Sequence, residues 1–261
     1  MYKNSFMNPK LFIGFIFIMF FLMHLEIKGS SPLQLIDSSG DLLLAIKDRN
    51  TDSAGIIVRK LKKLDMATLI NDLDNDHKKK AFWTNIYNAY VAYRLLNDPS
   101  EYDNRNQFFK TKSIVIANEA FSFDDIEHVI LRRGRHKLSR GYFNRFHTPK
   151  KLKKLMVDTL DYRIHFVLNC GALSCPPVNI YTAENIDREF QEATRAYLLQ
   201  ETEFDPDKNI VRVPVLMDWF LGDFNGRKGI LSILVEFGII ERDANPTIRF
   251  KPYHWDLKIG I

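Results

Sequence analysis

The two cysteines of this chain, Cys170 and Cys175, lie in one short stretch that runs from Arg163 to Val178. His165 precedes the first cysteine by five residues, within an apolar run that ends in small residues. A thiol beside an imidazole can ionise to a thiolate, which is the form that attacks a carbonyl carbon. Two sulfurs separated by four residues can equally form a structural disulfide. The stretch therefore indicates either thiol catalysis or a structural disulfide.

The catalytic hypothesis needs a base for the thiol, and His128 is the best candidate in the sequence. Glu127 precedes it, and the short helix predicted there can hold the imidazole ring. We therefore predict Cys175 as the nucleophile, His128 as the general base, and Glu127 or Asn85 as the orienting group. The reaction would be hydrolysis or acyl transfer at an amide or peptide-like bond.

Other polar and aromatic residues near these groups are candidates for substrate contact. Asparagines inside a helix are unfavourable unless their amides make hydrogen bonds, so the pair near residue 85 either binds substrate or ties loops together. The backbone amides near Gly171 are expected to stabilise an oxyanion. His165 is also the second candidate for the base. The predicted substrate-binding residues are Trp83, Asn88, His165, Asn169, Cys170 and Gly171.

No sequence pattern indicates a cofactor or a metal. The cysteines and scattered histidines match no zinc-ligand spacing, and glycine-rich phosphate loops and His-Glu-x-x-His helices are missing. We therefore expect neither a cofactor nor a metal ion. The alternative to an enzyme is a non-catalytic envelope domain, for binding or structure, with a Cys170–Cys175 disulfide. A thiol–disulfide exchanger is less favoured because the Cys-x-x-Cys spacing is absent.

The first 30 residues are typical of a secretory signal peptide. Lys3 and Lys10 precede an almost wholly apolar run from Leu11 to Leu25, and small residues follow near residue 29. The run is shorter than the roughly 20 residues that a membrane-spanning helix needs. The chain is therefore expected to be exported, as a periplasmic or secreted protein. If the signal peptide is not cleaved, it anchors the protein, and this anchor is the expected contact with the membrane.

Charge is concentrated in one region of a chain whose net charge is +5. Between Glu127 and Asp158 there are 10 basic residues and no acidic residue. The rest of the chain therefore has a net charge of −5 (5 minus 10). The region is either a solvated loop and helix face or a contact for an anionic envelope component, such as phospholipid head groups or glycans. The substrate stays unknown. Nucleic acid is not an expected partner, because the chain is predicted to be exported and carries no nucleic-acid motif.

The periodicity of the remaining sequence predicts a single compact α+β domain over residues 31–261, helix-rich with a small central sheet. A strong helix is expected over 78–96, a strand and its return over 113–117 and 120–123, and a helix capped by Ser122 over 123–133. The apolar run 164–168 is predicted as the central strand. Further helices are expected over 151–160, from Thr182, over 215–220 and over 229–236, with strands over 209–214 and 247–250.

Several of these motifs together resemble the domain-of-unknown-function 547 family, as an exported, bacterial-type member. The motifs are Trp83-Thr-Asn85-Ile-Tyr87-Asn88-Ala89, Asp125-Ile-Glu127-His128, Asp161 to Phe166, Asn169-Cys170-Gly171, Ser174-Cys175-Pro176-Pro177, Trp219 to Phe224, and Tyr253-His-Trp255. The likeness covers about residues 75–257, and Tyr162 replaces the family's usual proline. The resemblance implies that the Glu127–His128 pair, His165, both cysteines and the Asn85/Asn88 helix share one site or core. It implies no activity.

Overall fold

The structure, a computed structural model, describes residues 33–259. The predicted signal peptide, residues 1–30, lies outside the described residues. Residues 33–259 cluster as one compact unit. Helices predominate in it and two small sheets accompany them, which confirms the α+β class.

Most of the described chain is helical. The helix at the centre of the unit is α4, in which 15 of 22 residues are buried, so it runs through the core instead of over it. Asn75 caps its first turn by accepting from the backbone N–H of Lys78. The α-helices are α1 (Leu33–Lys47), α2 (Thr51–Lys63), α3 (Met66–Asp72), α4 (Asp76–Asn97), α5 (Arg105–Lys110), α6 (Lys150–Leu155), α7 (Ile186–Glu201), α8 (Leu216–Trp219) and α9 (Gly226–Glu236).

The strands form two separate sheets instead of one central sheet. Strands β1 (Ile114–Ile116) and β2 (Glu119–Phe121) pair as the expected antiparallel hairpin. Strands β3 (Glu203–Asp205), β4 (Ile210–Pro214) and β5 (Thr247–Lys251) form a second sheet, in which β4 is antiparallel to β3 and parallel to β5. The expected strands over 209–214 and 247–250 are therefore confirmed.

The predicted central strand over 164–168 is wrong, because Tyr162–Phe166 form a 3-10 helix. Asp161 accepts from the backbone N–H of Arg163 at the start of this helix, and Val167 N–H bonds back to the Ile164 carbonyl. A short, fully buried apolar run is compatible with either a strand or a helical turn, and its periodicity does not distinguish them. The local cap from Asp161 favours the turn.

The helix after the hairpin is a π-helix, Asp125–Leu131. Ser122 begins it as expected, because its Oγ accepts from Asp125 N–H while Asp125 accepts from Ser122 N–H. The wide turn continues past the helix, since Arg132 N–H bonds to the carbonyl of Glu127, five residues earlier. Single π-turns are rare and frequently lie at functional sites.

Two other boundaries differ from expectation. The helix predicted to begin at Thr182 begins at Ile186, and Thr182 instead donates its N–H and hydroxyl to the carboxylate of Glu189. The helix expected over 151–160 is α6, which ends at Leu155. Within residues 33–259, none of the helices has both the length and the apolar character that crossing a membrane requires.

Candidate active site

One cavity of about 440 Å³ brings together side chains that are distant in the sequence. Four predicted site residues line it, namely Glu127, His128, His165 and Cys170. Much of the remaining wall is aromatic or aliphatic, from residues such as Phe109, Leu168, Leu216, Trp219, Phe220 and Trp255. A mostly apolar cavity with a few convergent polar groups is the usual form of a small-molecule site.

The two cysteines are free thiols whose sulfurs lie 2.6 Å apart. This separation exceeds the roughly 2.05 Å of a disulfide bond, so the disulfide of the alternative hypothesis is not formed in the structure. Cys170 N–H donates to Cys175 Sγ at 3.0 Å, and Tyr253 Oη lies 3.2 Å from each sulfur. The pair therefore sits in a small hydrogen-bonded cluster.

Hydrogen bonding makes the two thiols unequal. The neighbouring sulfur of Cys175 raises the pKa of Cys170 well above its ordinary value, and burial adds to the effect. Burial also acts to raise the pKa of Cys175, but hydrogen bonds from Cys170, Tyr253 and backbone amides outweigh it and lower that pKa. One negative charge on the pair is thus stabilised, while a second is strongly opposed.

Two asparagines fix the turn that carries the thiols. Asn88 on α4 donates to the Val167 carbonyl at 2.9 Å and accepts from Asn169 N–H at 2.8 Å. Asn169 in turn donates to the Pro176 carbonyl at 2.7 Å and accepts from Gly171 N–H at 2.9 Å. The side chains of both asparagines therefore hold the backbone of this turn through hydrogen bonds.

The expected oxyanion site near Gly171 is wrong for the two amides closest to the thiols. Gly171 N–H is bonded to Asn169, and Cys170 N–H is bonded to the sulfur of Cys175. Gly171 instead has a conformational role, since its φ is +85° and an added Cβ would lie 2.6 Å from a methyl of Leu95.

Asn85 and Trp83 are not among the residues that line the cavity. Asn85 donates to Ser39 Oγ and to the Tyr181 carbonyl, and it accepts from Tyr181 N–H. Its amide therefore ties α4 to α1 and to the segment before α7. Trp83 is fully buried and packs against Phe82 and Phe121. Both residues occupy the core that supports the site.

His128 is placed in the cavity wall, and its tautomer follows from its neighbours. Arg132 Nη1 lies 2.9 Å from His128 Nδ1 and can only donate, so Nδ1 accepts. Burial lowers the pKa of His128 well below its ordinary value, and Arg132 lowers it further. The neutral ring therefore carries its proton on Nε2, which lies 3.6 Å from Asp124 Oδ1. In this form His128 offers an N–H donor to the cavity.

His165 has the complementary arrangement. Its Nε2 lies 2.9 Å from Asp223 Oδ2, and its ring stacks on Phe220 with centroids 4.1 Å apart. Burial lowers the pKa of His165 in spite of the opposite effect of Asp223. A neutral His165 donates its Nε2 proton to the carboxylate, so its lone pair is on Nδ1. This ring can accept a proton.

Asp223 joins the two histidines through Arg132. Its Oδ2 accepts from Arg132 Nε at 2.6 Å as well as from His165, and the side chains of Asp223 and Arg132 are both fully buried. Burial alone would raise the pKa of Asp223, but the bonds from His165 and Arg132 lower it. The buried chain therefore runs from His165 through Asp223 and Arg132 to His128.

Besides Asp124, Glu127 is the carboxyl group that lines the cavity. Its burial raises its pKa from 4.5 to about 7, against the opposing charge of Arg132. Tyr87 Oη donates to Glu127 Oε2 at 3.4 Å. Burial also raises the pKa of Tyr87, and the charges of Glu127, Cys170 and Cys175 raise it further. The charges of Glu127 and of the two thiols therefore all act on the hydroxyl of Tyr87.

Sequence reasoning missed Arg132, Asp223, Tyr253 and Tyr87 as members of the site. Asp223 and Tyr253 lie in the C-terminal motifs quoted above, and Tyr87 lies in the α4 motif, so those motifs were the available signal. Arg132 is the fourth residue after His128, which would place the two close together on an α-helix. Within residues 33–259, no group of three or more histidine, cysteine or acidic side chains is arranged to hold a metal ion.

Comparison with known families agrees with the resemblance in the sequence. The family model described as "Protein of unknown function, DUF547" matches residues 70–198, about half of the chain. The chain belongs to the DUF547 family. The curated proteins and the solved structures compared with it gave no match.

The matched DUF547 segment contributes only part of the cavity. It includes α4, the π-helix, both cysteines and His165. Asp223, Trp219, Tyr253 and Trp255 lie beyond residue 198, although they complete the site described above. In this DUF547 protein the C-terminal elements therefore supply the partner of His165 and the hydroxyl beside the thiols.

Proposed function

We propose that this DUF547 protein is a thiol-dependent hydrolase or acyl transferase that acts on an amide or peptide-like bond. The observation that carries the proposal is one cavity in which the thiol of Cys170, in contact with Cys175 behind it, lies with two neutral histidines and a carboxyl group whose pKa is raised to about 7. Acyl transfer requires a nucleophile, a proton acceptor, a proton donor and a donor to the oxyanion. The cavity holds a group suited to each role.

Cys170 is the attacking sulfur in this proposal, because it lines the cavity. Cys170 keeps its proton until its sulfur bonds to the acyl carbon, and the proton then passes to the ionised Cys175, whose sulfur is 2.6 Å away, so that no free Cys170 thiolate has to form. Attack forms a thioester between Cys170 and the acyl group. Cys175, the nucleophile expected from the sequence, becomes the proton acceptor of the pair.

The other groups divide the remaining proton transfers. Protonated Glu127 gives its proton to the leaving group, and its pKa of about 7 makes both protonation states available at neutral pH. His128 donates its Nε2–H to the oxyanion. His165 takes a proton from water at Nδ1 while the water oxygen attacks the acyl carbon. The C–S bond then breaks, the carboxylic acid leaves, the Cys170 sulfur takes back the proton held by Cys175, and the proton on His165 restores Glu127.

The wall of the cavity favours a substrate with an apolar part. Trp219, Phe220, Phe109 and Leu216 line it, and apolar surface of this kind holds aliphatic or aromatic groups by burial. The scissile bond would lie at the polar groups while the apolar part contacts this wall.

The first experiment detects the thioester directly. The full chain is mixed with nitrophenyl esters of increasing acyl length, and the release of nitrophenol is followed together with the intact mass of the protein. We expect a burst of nitrophenol release and an added acyl mass on Cys170. Both should be lost in Cys170→Ala. Replacing His165 by Gln should slow hydrolysis of the adduct by about 100-fold or more. A burst and turnover that are unchanged in Cys170→Ala would refute the proposal.

A second experiment tests the thiolate itself. Tyr253 lowers the pKa of Cys175 through its hydroxyl, so Tyr253→Phe should shift the pH profile of iodoacetamide alkylation to higher pH. Tyr93→Phe, at an exposed tyrosine of α4, is the matched control and should leave the profile in place. Equal profiles in all three proteins would contradict the assigned role of the Tyr253 hydroxyl.

A further inference from the structure

The loop over residues 134–146 displays large apolar side chains on the surface. Phe146 is fully exposed, Phe143 is 74% exposed, and Tyr142 is half exposed. Leu138 is 86% exposed and also lines the cavity. Single exposed apolar residues are common, but several within nine residues of one loop mark an interaction surface.

The backbone holds this loop in place. Its two limbs pair, since His136 N–H bonds to the Phe143 carbonyl at 2.9 Å and Arg145 N–H bonds to the Gly134 carbonyl at 2.8 Å. Its tip is fixed to the body of the protein, because Gly222 N–H bonds to the Arg140 carbonyl at 2.7 Å. The apolar side chains are therefore presented by an anchored hairpin.

Unpaired positive charge accompanies these apolar side chains. Two cations that line the cavity, Lys137 and Arg140, are paired with Asp124 and Asp218. Within the described part of the chain, five exposed cations of the loop region and α6 form no ion pair; they are Arg133, Arg145, Lys150, Lys153 and Lys154. The region between Glu127 and Asp158 has no acidic residue to offset them.

We propose that residues 133–154 form a docking surface for an anionic lipid bilayer. Exposed aromatic side chains enter the boundary between head groups and acyl chains, while lysines and arginines contact the anionic head groups. Charge complementarity identifies the lipid as anionic, and the exposed aromatics require an occupant with an apolar interior. A purely polyanionic partner satisfies the cations but leaves the phenylalanines in water.

Docking in this way would place the cavity at the bilayer surface, because Leu138 belongs to both. An apolar substrate could then pass from lipid to cavity. The docking surface itself does not rest on the proposed thiol chemistry, since neither cysteine takes part in it. Loss of lipid binding and loss of acyl transfer are therefore separate results.

The lipid test uses the full chain and vesicle flotation, with phosphatidylcholine alone or with equal parts of phosphatidylcholine and phosphatidylglycerol. We expect the double variant Phe143→Ser, Phe146→Ser to lower partitioning onto the anionic vesicles by about tenfold or more. The matched control is Ile56→Ser, Leu199→Ser, which removes two apolar groups that are each 47% exposed elsewhere. The control should bind as the wild type does. Equal binding by both double variants would overturn the proposal.

The charge test compares two variants with the same change in net charge. Lys153→Glu, Lys154→Glu should weaken binding to the anionic vesicles by about tenfold or more, whereas Lys60→Glu, Lys63→Glu on α2 should have little effect. Equal weakening by both pairs would overturn the proposal in favour of a general effect of net charge.

Hydrogen exchange distinguishes this surface from the apolar N-terminal run, which could also bind lipid. We expect anionic vesicles to slow exchange of the amides over residues 134–147, and neutral vesicles to do so much less. Protection confined to other parts of the chain would overturn the proposal. So would RNA or heparin that protects the loop as strongly as the anionic vesicles do, with no loss in the phenylalanine double variant.

Discussion

Replacing Glu127 by Gln should make the protein more stable at neutral and alkaline pH. Glutamine has the shape and neutrality of the protonated carboxyl group, and its amide oxygen can still accept from Tyr87. The folded state raises the pKa of Glu127 from 4.5 to about 7, so it favours the neutral form. The wild type therefore loses free energy of unfolding when Glu127 ionises in its buried position, and the variant does not.

The magnitude follows from the size of this pKa shift. One pKa unit corresponds to about 1.4 kcal/mol, so a rise from 4.5 to about 7 is worth on the order of 3 kcal/mol. Between these two values the folded state binds the proton while the unfolded state has released it. Stability therefore falls as pH rises through this window, and the loss is complete above about pH 7.

Urea unfolding of the wild type and Glu127→Gln between pH 5 and pH 8.5 measures this effect. The difference in free energy of unfolding should be small at the acid end and grow by about 2 to 3 kcal/mol at the alkaline end, in favour of the variant. Glu192→Gln, at an exposed position of α7, is the matched control and should follow the wild type. A difference that is constant across the pH range would refute the buried-acid reasoning.

Two further predictions concern the buried charges that position His165. Asp223→Asn leaves the buried guanidinium of Arg132 without its counter-charge, so urea unfolding should show a loss of about 3 to 5 kcal/mol. The control is Asp205→Asn, in an ion pair at the surface, which should have a much smaller effect. Gly141→Ala should cost at least about 2 kcal/mol more than Gly238→Ala in the same measurement. Both glycines have positive φ, but an added Cβ at Gly141 would lie 2.9 Å from Asp223 N, whereas nothing lies within 4 Å at Gly238. A loss below 1 kcal/mol for Asp223→Asn, or equal losses for the two glycines, would contradict these assignments.

Local signals predicted the elements that depend on nearby residues. The long apolar period of α4, the β1–β2 hairpin and the Ser122 cap were all expected from the sequence and are all present. The strand predicted over 164–168 is wrong because this run, four apolar residues and His165, is buried throughout and has no solvent side that reveals a period. The run forms a 3-10 turn instead, and His165 and Cys170 both line one cavity.

Long-range contacts set the part of the site that the sequence did not reveal. Asp223 lies 91 residues from Arg132 and 58 residues from His165 in the chain. No periodic or capping pattern encodes such pairs, since they form only when the segment after α8 packs against the π-helix. The tautomers of His128 and His165 follow from these partners, so the assignment of proton donor and proton acceptor required the structure.

The loop that we assign to lipid docking also contacts the group that orients the proposed base. Gly141 at its tip packs against Asp223, and the Arg140 carbonyl accepts from Gly222 N–H beside it. A displacement of the tip would move Asp223, and with it the ring of His165, because the carboxylate is bonded to that ring. Contact with a bilayer can therefore change the geometry of the site without any lipid reaching it. If this link operates, anionic vesicles should alter the hydrolysis rate of a short, water-soluble ester, and the Phe143→Ser, Phe146→Ser variant should abolish that effect. A rate that is identical with and without vesicles would show that docking and catalysis are independent.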